Sequence, residues 1–210
     1  MYTLYYAPGA ASMVVHWLLI EVGAEYRLEK LDLAAGEQRS AAYRQLNPAG
    51  VVPTLLIDGA PVYEAAALVM HLADAHPAAG LAPATGTLER ARMYQWVLHL
   101  ANVVQPAFRL WFFPAEAAGA EHAEQAKTLA RGRIEAAWDR IDTHLAEKGP
   151  YLLGSQPSAA DFYLTMLMRW SRNLPRPATE WPALARLAAA MKARPSFARL
   201  YQIEGLTEWA

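Results

Sequence analysis

Residues 47–74 read NPAGVVPTLLIDGAPVYEAAALVMHLAD, and the order of signals in this stretch decides the fold. Pro53–Asp58 is a short, mostly aliphatic run and reads as a strand. Asp58-Gly59 is a two-residue hairpin signal, because tight hairpin turns need positive φ at their central positions. Ala60–Tyr63 is then the antiparallel partner strand, and Glu64–Ala75 reads as a helix leaving it. A hairpin that feeds a helix closes a sheet whose other face needs cover.

The chain toward the N-terminus supplies the rest of that sheet. Thr3–Tyr6 is a short β-branched and aromatic run ended by Pro8-Gly9. Ser12–Val22 places Val14, Val15, Leu18, Leu19 and Val22 on a helical period, and Gly23 closes it. Tyr26–Leu33 alternates apolar and polar residues and reads as a second strand. Ser40–Leu46 is a short helix stopped by Asn47-Pro48. The order β-α-β-α-β-β-α predicts a mixed four-stranded sheet, since a β-α-β start pairs in parallel and a hairpin cannot.

Residues 77–85, PAAGLAPAT, hold two prolines, a glycine and no charge, and read as a linker between domains 1–76 and 86–210. Beyond it strand signals vanish. Thr87–Trp111 is one helical pattern that Pro106 should kink. Glu121–Glu147 is a long amphipathic helix and Ser158–Arg172 a mainly apolar one. Pro182–Ala193 and Pro195–Ile203 are shorter helices opened by proline. The fold class is therefore α/β followed by all-α.

Composition narrows the function classes. Of 210 residues, 54% are hydrophobic, which is ample for a core. Lys plus Arg is 19 against 20 for Asp plus Glu, so there is no basic footprint for nucleic acid or an anionic membrane. The chain has no cysteine, which removes disulfides, thiolate metal sites and a cysteine nucleophile. Met1–Ile20 is charge-free, but it lacks a basic start and Pro8-Gly9, Ser12 and His16 interrupt it. That argues against a signal peptide or membrane span and for a cytoplasmic protein. The histidines His71, His76, His99, His122 and His144 form no metal motif, and none of the common phosphate or nucleophile-elbow motifs occurs.

Four places can carry chemistry. Ser12 is a good N-cap, and Tyr5, Tyr6 and His16 surround the same strand-to-helix turn. An anion at that helix start would meet open N–H groups. Val52-Pro53 enters a strand, where proline suits an edge. The sharper reading is a cis bond that turns the Val52 N–H and C=O toward an extended ligand, although propensity alone favours trans. Glu64 stands at a helix start, where the dipole stabilises a carboxylate. There it could take a ligand ammonium, while Ala65 and Ala66 N–H groups take a ligand carboxylate. Ser158-Ala159-Ala160-Asp161 is a capping-box pattern, and its reading is structural.

In this order and spacing, YYAPGAAS (5–12), NPAGVVPTL (47–55), LLIDGAPVYEAAALVMHLAD (55–74) and YLLGSQPSAADFYL (151–164) resemble the soluble glutathione transferases over the whole chain. The beginning is most similar to the bacterial beta class, except that Ala11 stands at the class cysteine. The resemblance implies a thioredoxin-like first domain that binds glutathione as co-substrate, with no metal, and a cytoplasmic homodimer with a detoxifying role. It implies that Val52 and Pro53 form the cis-proline edge, that Glu64 and Ala65 hold the γ-glutamyl end, and that Tyr6 matches a thiolate donor; its place at the helix start makes Ser12 the first choice of donor and Tyr6 the second. Ala65 stands where many classes have serine, and Gln105 falls about where the beta class has a histidine. The expected reaction joins the glutathione thiol to an apolar or aromatic electrophile in a pocket between the domains. Phe108, Trp111 and Phe112 are its candidate wall. Glutathione-dependent isomerisation, dehalogenation or peroxide reduction would use the same thiol. A non-catalytic binding or interaction module is the alternative from another class.

Overall fold

The computed structural model describes residues Met1–Trp209. Its strands are β1 (Tyr2–Tyr6), β2 (Tyr26–Lys30), β3 (Thr54–Ile57) and β4 (Ala60–Tyr63). Its α-helices are α1 (Ser12–Glu21), α2 (Ala41–Leu46), α3 (Ala65–Ala75), α4 (Leu88–His99), α5 (Gln105–Phe112), α6 (Pro114–Ala118), α7 (Ala123–Lys148), α8 (Ala159–Trp170), α9 (Pro182–Lys192) and α10 (Pro195–Glu204). The sheet order is β2-β1-β3-β4. β1 pairs with β2 in parallel, and with β3 antiparallel, as β3 does with β4. This is the mixed four-stranded sheet of a thioredoxin-like domain, followed by helices alone.

The chain divides into two compact units, and the break falls between Ala82 and Pro83, within the stretch 77–85. One finding departs from the reading of 86–210 as a single helical domain. The chain from Lys192 onward packs with the sheet unit. The cause lies in α1, whose Met13, Val14, Val15, Trp17, Leu18 and Leu19 are all buried. A helix apolar on every side needs cover beyond the sheet. α10 supplies it with Phe197, Leu200 and Tyr201, each buried. The Trp17 indole donates to Ser196 Oγ at 2.8 Å, and its ring meets Phe197 edge-on at 5.1 Å. Burying side chains of this size stabilises by about 2 kcal/mol each. Glu21 at the end of α1 is pushed up by burial. Hydrogen bonds from Arg194 and Ser196 outweigh that and hold its carboxyl below the usual range.

The second unit is built around α8, buried from Ala159 to Arg169. Met93, Val97, Leu100, Val104, Phe108, Ile134, Trp138, Ile141 and Leu145 are buried in the same unit, with the Phe108 and Trp138 rings 6.1 Å apart. The expected kinked helix over 87–111 is instead α4, a π-helical turn Leu100–Val104, and α5. Pro106 has no N–H and crowds the carbonyl four residues back, and the turn that precedes it widens into the π-helical form. The capping box forms as read: Ser158 and Asp161 satisfy one another's backbone. Among the described residues no helix is long and apolar enough to cross a membrane.

Candidate active site

Strand register assembles the site. Tyr5 lies opposite Thr54, and Thr54 opposite Tyr63. Tyr6, Pro53 and Glu64 are the next residues along the chain from these pairs: Tyr6 ends β1, Pro53 precedes β3 and Glu64 follows β4. α1 follows β1 at this end of the sheet, and α3 follows β4 directly. Tyr6, Ser12, Val52, Pro53, Glu64 and Ala65 all lie in the sheet unit.

Ser12 does not cap α1. Ala11 holds the N-cap position, without a side-chain bond, and Ser12 is fully buried. Its Oγ donates to the Ala7 carbonyl and accepts from the Ala7 N–H, both at 3.1 Å. The hydroxyl therefore braces the turn between β1 and α1. Ala10 N–H and Met13 N–H are taken by Ala7 and Ala10 carbonyls. Among the described residues no acceptor takes the N–H of Ala11 or Ser12. They open the helix start to an anion.

Tyr6 points the other way. It is buried, with its ring 5.7 Å from that of His16. Burial first, and then the Glu204 carboxylate, push its phenol up, so it keeps its proton. Strand alternation sends Tyr5 to the opposite face, against Tyr43 at 5.6 Å.

Glu204 reaches this loop from the far end of the chain. Gly9 N–H donates to its Oε2 and His16 Nδ1 lies on Oε1, both at 2.8 Å. A carboxylate only accepts, so Nδ1 carries the proton of that bond. On the ring's other side the Tyr26 hydroxyl lies 3.3 Å from Nε2. Both side chains of the His16–Glu204 pair are fully buried. Nothing in the sequence marks Glu204 as a site residue. It is an acid at the end of a helix, 188 positions from its partner.

The second wall is the loop before β3, where the Val52–Pro53 bond is cis. Tyr43 donates to the Val51 carbonyl at 2.7 Å, and Asn47 Nδ2 donates to the same oxygen at 2.9 Å. Tyr43 has one proton, so the 2.7 Å contact with Thr54 is a bond that the threonine donates. Asn47 Oδ1 accepts from Ala49 N–H at 3.1 Å, and Gly50 takes φ 62° to turn the chain. The sequence does not mark Tyr43 or Asn47 as site residues; Asn47-Pro48 reads there only as a helix stop. With Val51 held, Val52 packs on Ala7 and Tyr43. Among the described residues neither its N–H nor its C=O has a hydrogen-bond partner.

Glu64 is exposed, it holds the N-cap position of α3, and its side chain makes no capping bond. Its φ is 76°, a region that costs a residue with a side chain about 1–3 kcal/mol. The strained backbone leaves the carboxylate outward and the first N–H groups of α3, on Ala65 and Ala66, without side-chain cover. Ala65 itself is buried.

The second unit holds the aromatic candidates. Phe108 is fully buried, 6.0 Å from Phe112, 6.1 Å from Trp138 and 5.8 Å from Trp170. It backs a wall rather than presenting one. Phe112 is 45% exposed and meets Trp170 edge-on at 6.0 Å. Trp111 is half-buried under the Lys127 ammonium, 4.8 Å from the ring centre. Gln105 accepts a hydrogen bond from Tyr163. Among the described residues no group of three or more His, Asp or Glu side chains could hold a metal ion.

Known proteins share this fold. Residues 1–74 match the family model "Glutathione S-transferase, N-terminal domain", and residues 120–200 match "Glutathione S-transferase, C-terminal domain". A glutathione S-transferase of Xanthomonas campestris is 30% identical over 172 residues, covering 81% of this chain and 82% of that one. A maleylacetoacetate isomerase of Rhizobium meliloti is 31% identical over 179 residues, covering 80% and 82%. A Sulfitobacter glutathione transferase homologue solved with bound glutathione superposes with a TM-score of 0.90 at 28% identity, over 99% of each chain. Fold, order of elements and identity over most of both chains agree, and the chain belongs to the glutathione S-transferase family of enzymes.

Proposed function

We propose that the protein binds glutathione at Val52, Pro53 and Glu64 and transfers its sulfur to an apolar or aromatic electrophile. The observation that carries this is the set of unfilled groups along one sheet end. The Val52 backbone suits the extended cysteinyl part of the tripeptide. Glu64 suits its ammonium, and the N–H groups of Ala65 and Ala66 suit its α-carboxylate. The resulting position would set the thiol toward the start of α1.

Attack requires a thiolate, and a free thiol has a pKa of about 8.5. The open N–H groups of Ala11 and Ser12 can lower it, as a helix start does for a cysteine. The Ser12 hydroxyl can join only by releasing the Ala7 carbonyl. Tyr6 would have to turn out of the core. We therefore assign Ser12 to holding the loop and, directly or through it, to the thiolate. Thiolate absorbance of bound glutathione against pH tests this in Ser12→Ala and Tyr6→Phe. A raised thiol pKa in the serine variant and none in the tyrosine variant is expected.

Glutathione calorimetry on wild type and Glu64→Ala tests the site itself. Millimolar or tighter binding, at least tenfold weaker in the variant, is expected. No binding by wild type would overturn the reading and leave a non-catalytic module. The exposed Phe112 edge in the second unit is the proposed electrophile contact. Turnover of a general aryl halide checks conjugation. The isomerase relative makes glutathione-dependent isomerisation the second reading, using the same thiol. A cytoplasmic homodimer belongs to this proposal, and sedimentation checks the dimer.

A further inference from the structure

We infer that the Tyr43 hydroxyl is a positioning group for the thiol co-substrate: a clamp across Val52-Pro53 that sets how tightly glutathione pairs with the Val52 backbone. The inference rests on the glutathione reading above. Val51 and Thr54 flank the pair, and one hydroxyl holds both. It lies 2.7 Å from the Val51 carbonyl oxygen and 2.7 Å from Thr54 Oγ1. The carbonyl only accepts, so the phenol proton goes to Val51 and Thr54 donates to the phenol oxygen. Burial pushes the Tyr43 phenol up, against hydrogen bonds from Thr54 and Asn47 that pull it down, so the donor keeps its proton.

The clamp ties the loop to the sheet. Thr54 is fully buried at the start of β3, paired with Tyr5 of β1 on one side and Tyr63 of β4 on the other. That makes it a fixed point. Asn47, the second donor to the Val51 carbonyl, sits four residues before Val51, so its bond closes the loop on itself. Only the path from Thr54 through Tyr43 to Val51 carries the position of the sheet into the residue before Val52.

The Tyr43 ring has a separate part. It is buried in one cluster with Val52 and Ala7. Ala7 in turn holds Ser12 Oγ through its backbone. Removing the hydroxyl and keeping the ring therefore separates the clamp from the packing.

Tyr43→Phe does this, and it leaves Thr54 Oγ1 buried without its acceptor, a loss of stability in itself. Adding Thr54→Val removes that orphaned hydroxyl, and a pair deleted together costs far less than one partner deleted alone. The measurements are glutathione calorimetry and chemical denaturation of the intact chain. Tyr43→Phe should bind glutathione about tenfold more weakly than wild type. The double variant should regain most of the lost denaturation midpoint and still bind as weakly as Tyr43→Phe. Thr54→Ser keeps the donor and should bind as wild type does. A side chain that merely supports the fold would move stability and affinity together, so recovery of both in the double variant would overturn the clamp. Wild-type affinity in Tyr43→Phe would overturn it too, and would leave the glutathione reading standing. Absence of binding by wild type would overturn that reading and the clamp with it.

Discussion

Two buried carboxylates, Asp161 in the helical unit and Glu204 in the sheet unit, do the same chemical job at opposite ranges. Asp161 accepts from Leu152 N–H at 2.8 Å, Ser158 N–H at 2.7 Å and Ser158 Oγ at 2.8 Å, all within nine residues. Glu204 accepts from Gly9 N–H, 195 residues away, and from His16. Both answer the cost of placing a charge in the interior by collecting donors. The local set fixes the start of one helix. The distant set holds the loop that opens α1, and so couples the last helix to the candidate thiol site.

Deleting each acceptor breaks the comparison where it is strongest. Asp161→Ala orphans three buried donors at about 1–3 kcal/mol each, so a loss of about 5 kcal/mol is expected in chemical denaturation. Glu204→Ala takes an acceptor from Gly9 N–H and leaves His16 without its carboxylate, for about 3 kcal/mol. The two should differ more in function than in stability. Asp161→Ala protein that still folds should bind glutathione as wild type does. Glu204→Ala should bind several-fold more weakly, because the turn from Ala7 to Ser12 loses an anchor. Equal glutathione affinity in both variants would separate Glu204 from the site.

The same contrast explains what the sequence shows. The capping box is written in four consecutive residues, Ser158 to Asp161, so its pattern and its structure are one statement. The hairpin is equally local: Asp58-Gly59 sets the register that pairs Thr54 with Tyr63. Glu204 has no such signature, because its partners are set by how α10 covers α1. The same cause hid the membership of 192 onward in the sheet unit. Ser12 shows a third case. Its residue type suits a cap, and the turn before it offered a buried backbone pair that used the hydroxyl instead.

Protonation sharpens the comparison with a smaller effect. Burial pushes the Asp161 carboxyl up to about 6, against hydrogen bonds from Leu152 and Ser158 that pull it down. An unfolded aspartate titrates near 3.9. Between those values the folded state holds the extra proton, so this group's contribution rises as pH falls through 6 and is lost as pH climbs back. From pH 7 to pH 5 the gain is about 1 kcal/mol. Denaturation of wild type and Asp161→Asn at both pH values checks it. The difference between the two proteins should shift by that amount.

A substitution in the loop before Val52 separates site geometry from stability. Gly50 turns the loop before Val52 at φ 62°, and a Cβ there would lie 3.0 Å from the Gln38 carbonyl oxygen. Alanine would pay about 1 kcal/mol for the left-handed backbone. The Gln38 carbonyl is backbone, so the strain passes into the loop that Tyr43 and Asn47 hold through Val51. Gly50→Ala should therefore lower stability by about 1 kcal/mol. Glutathione affinity should fall further than that, by tenfold or more, because Val52 moves with the loop. Gly36 has φ 77° and open space around its Cβ position, and it serves as the control. Gly36→Ala should match the stability loss and leave glutathione binding as it is. If both variants bind alike, the pinned loop does not set the position of Val52.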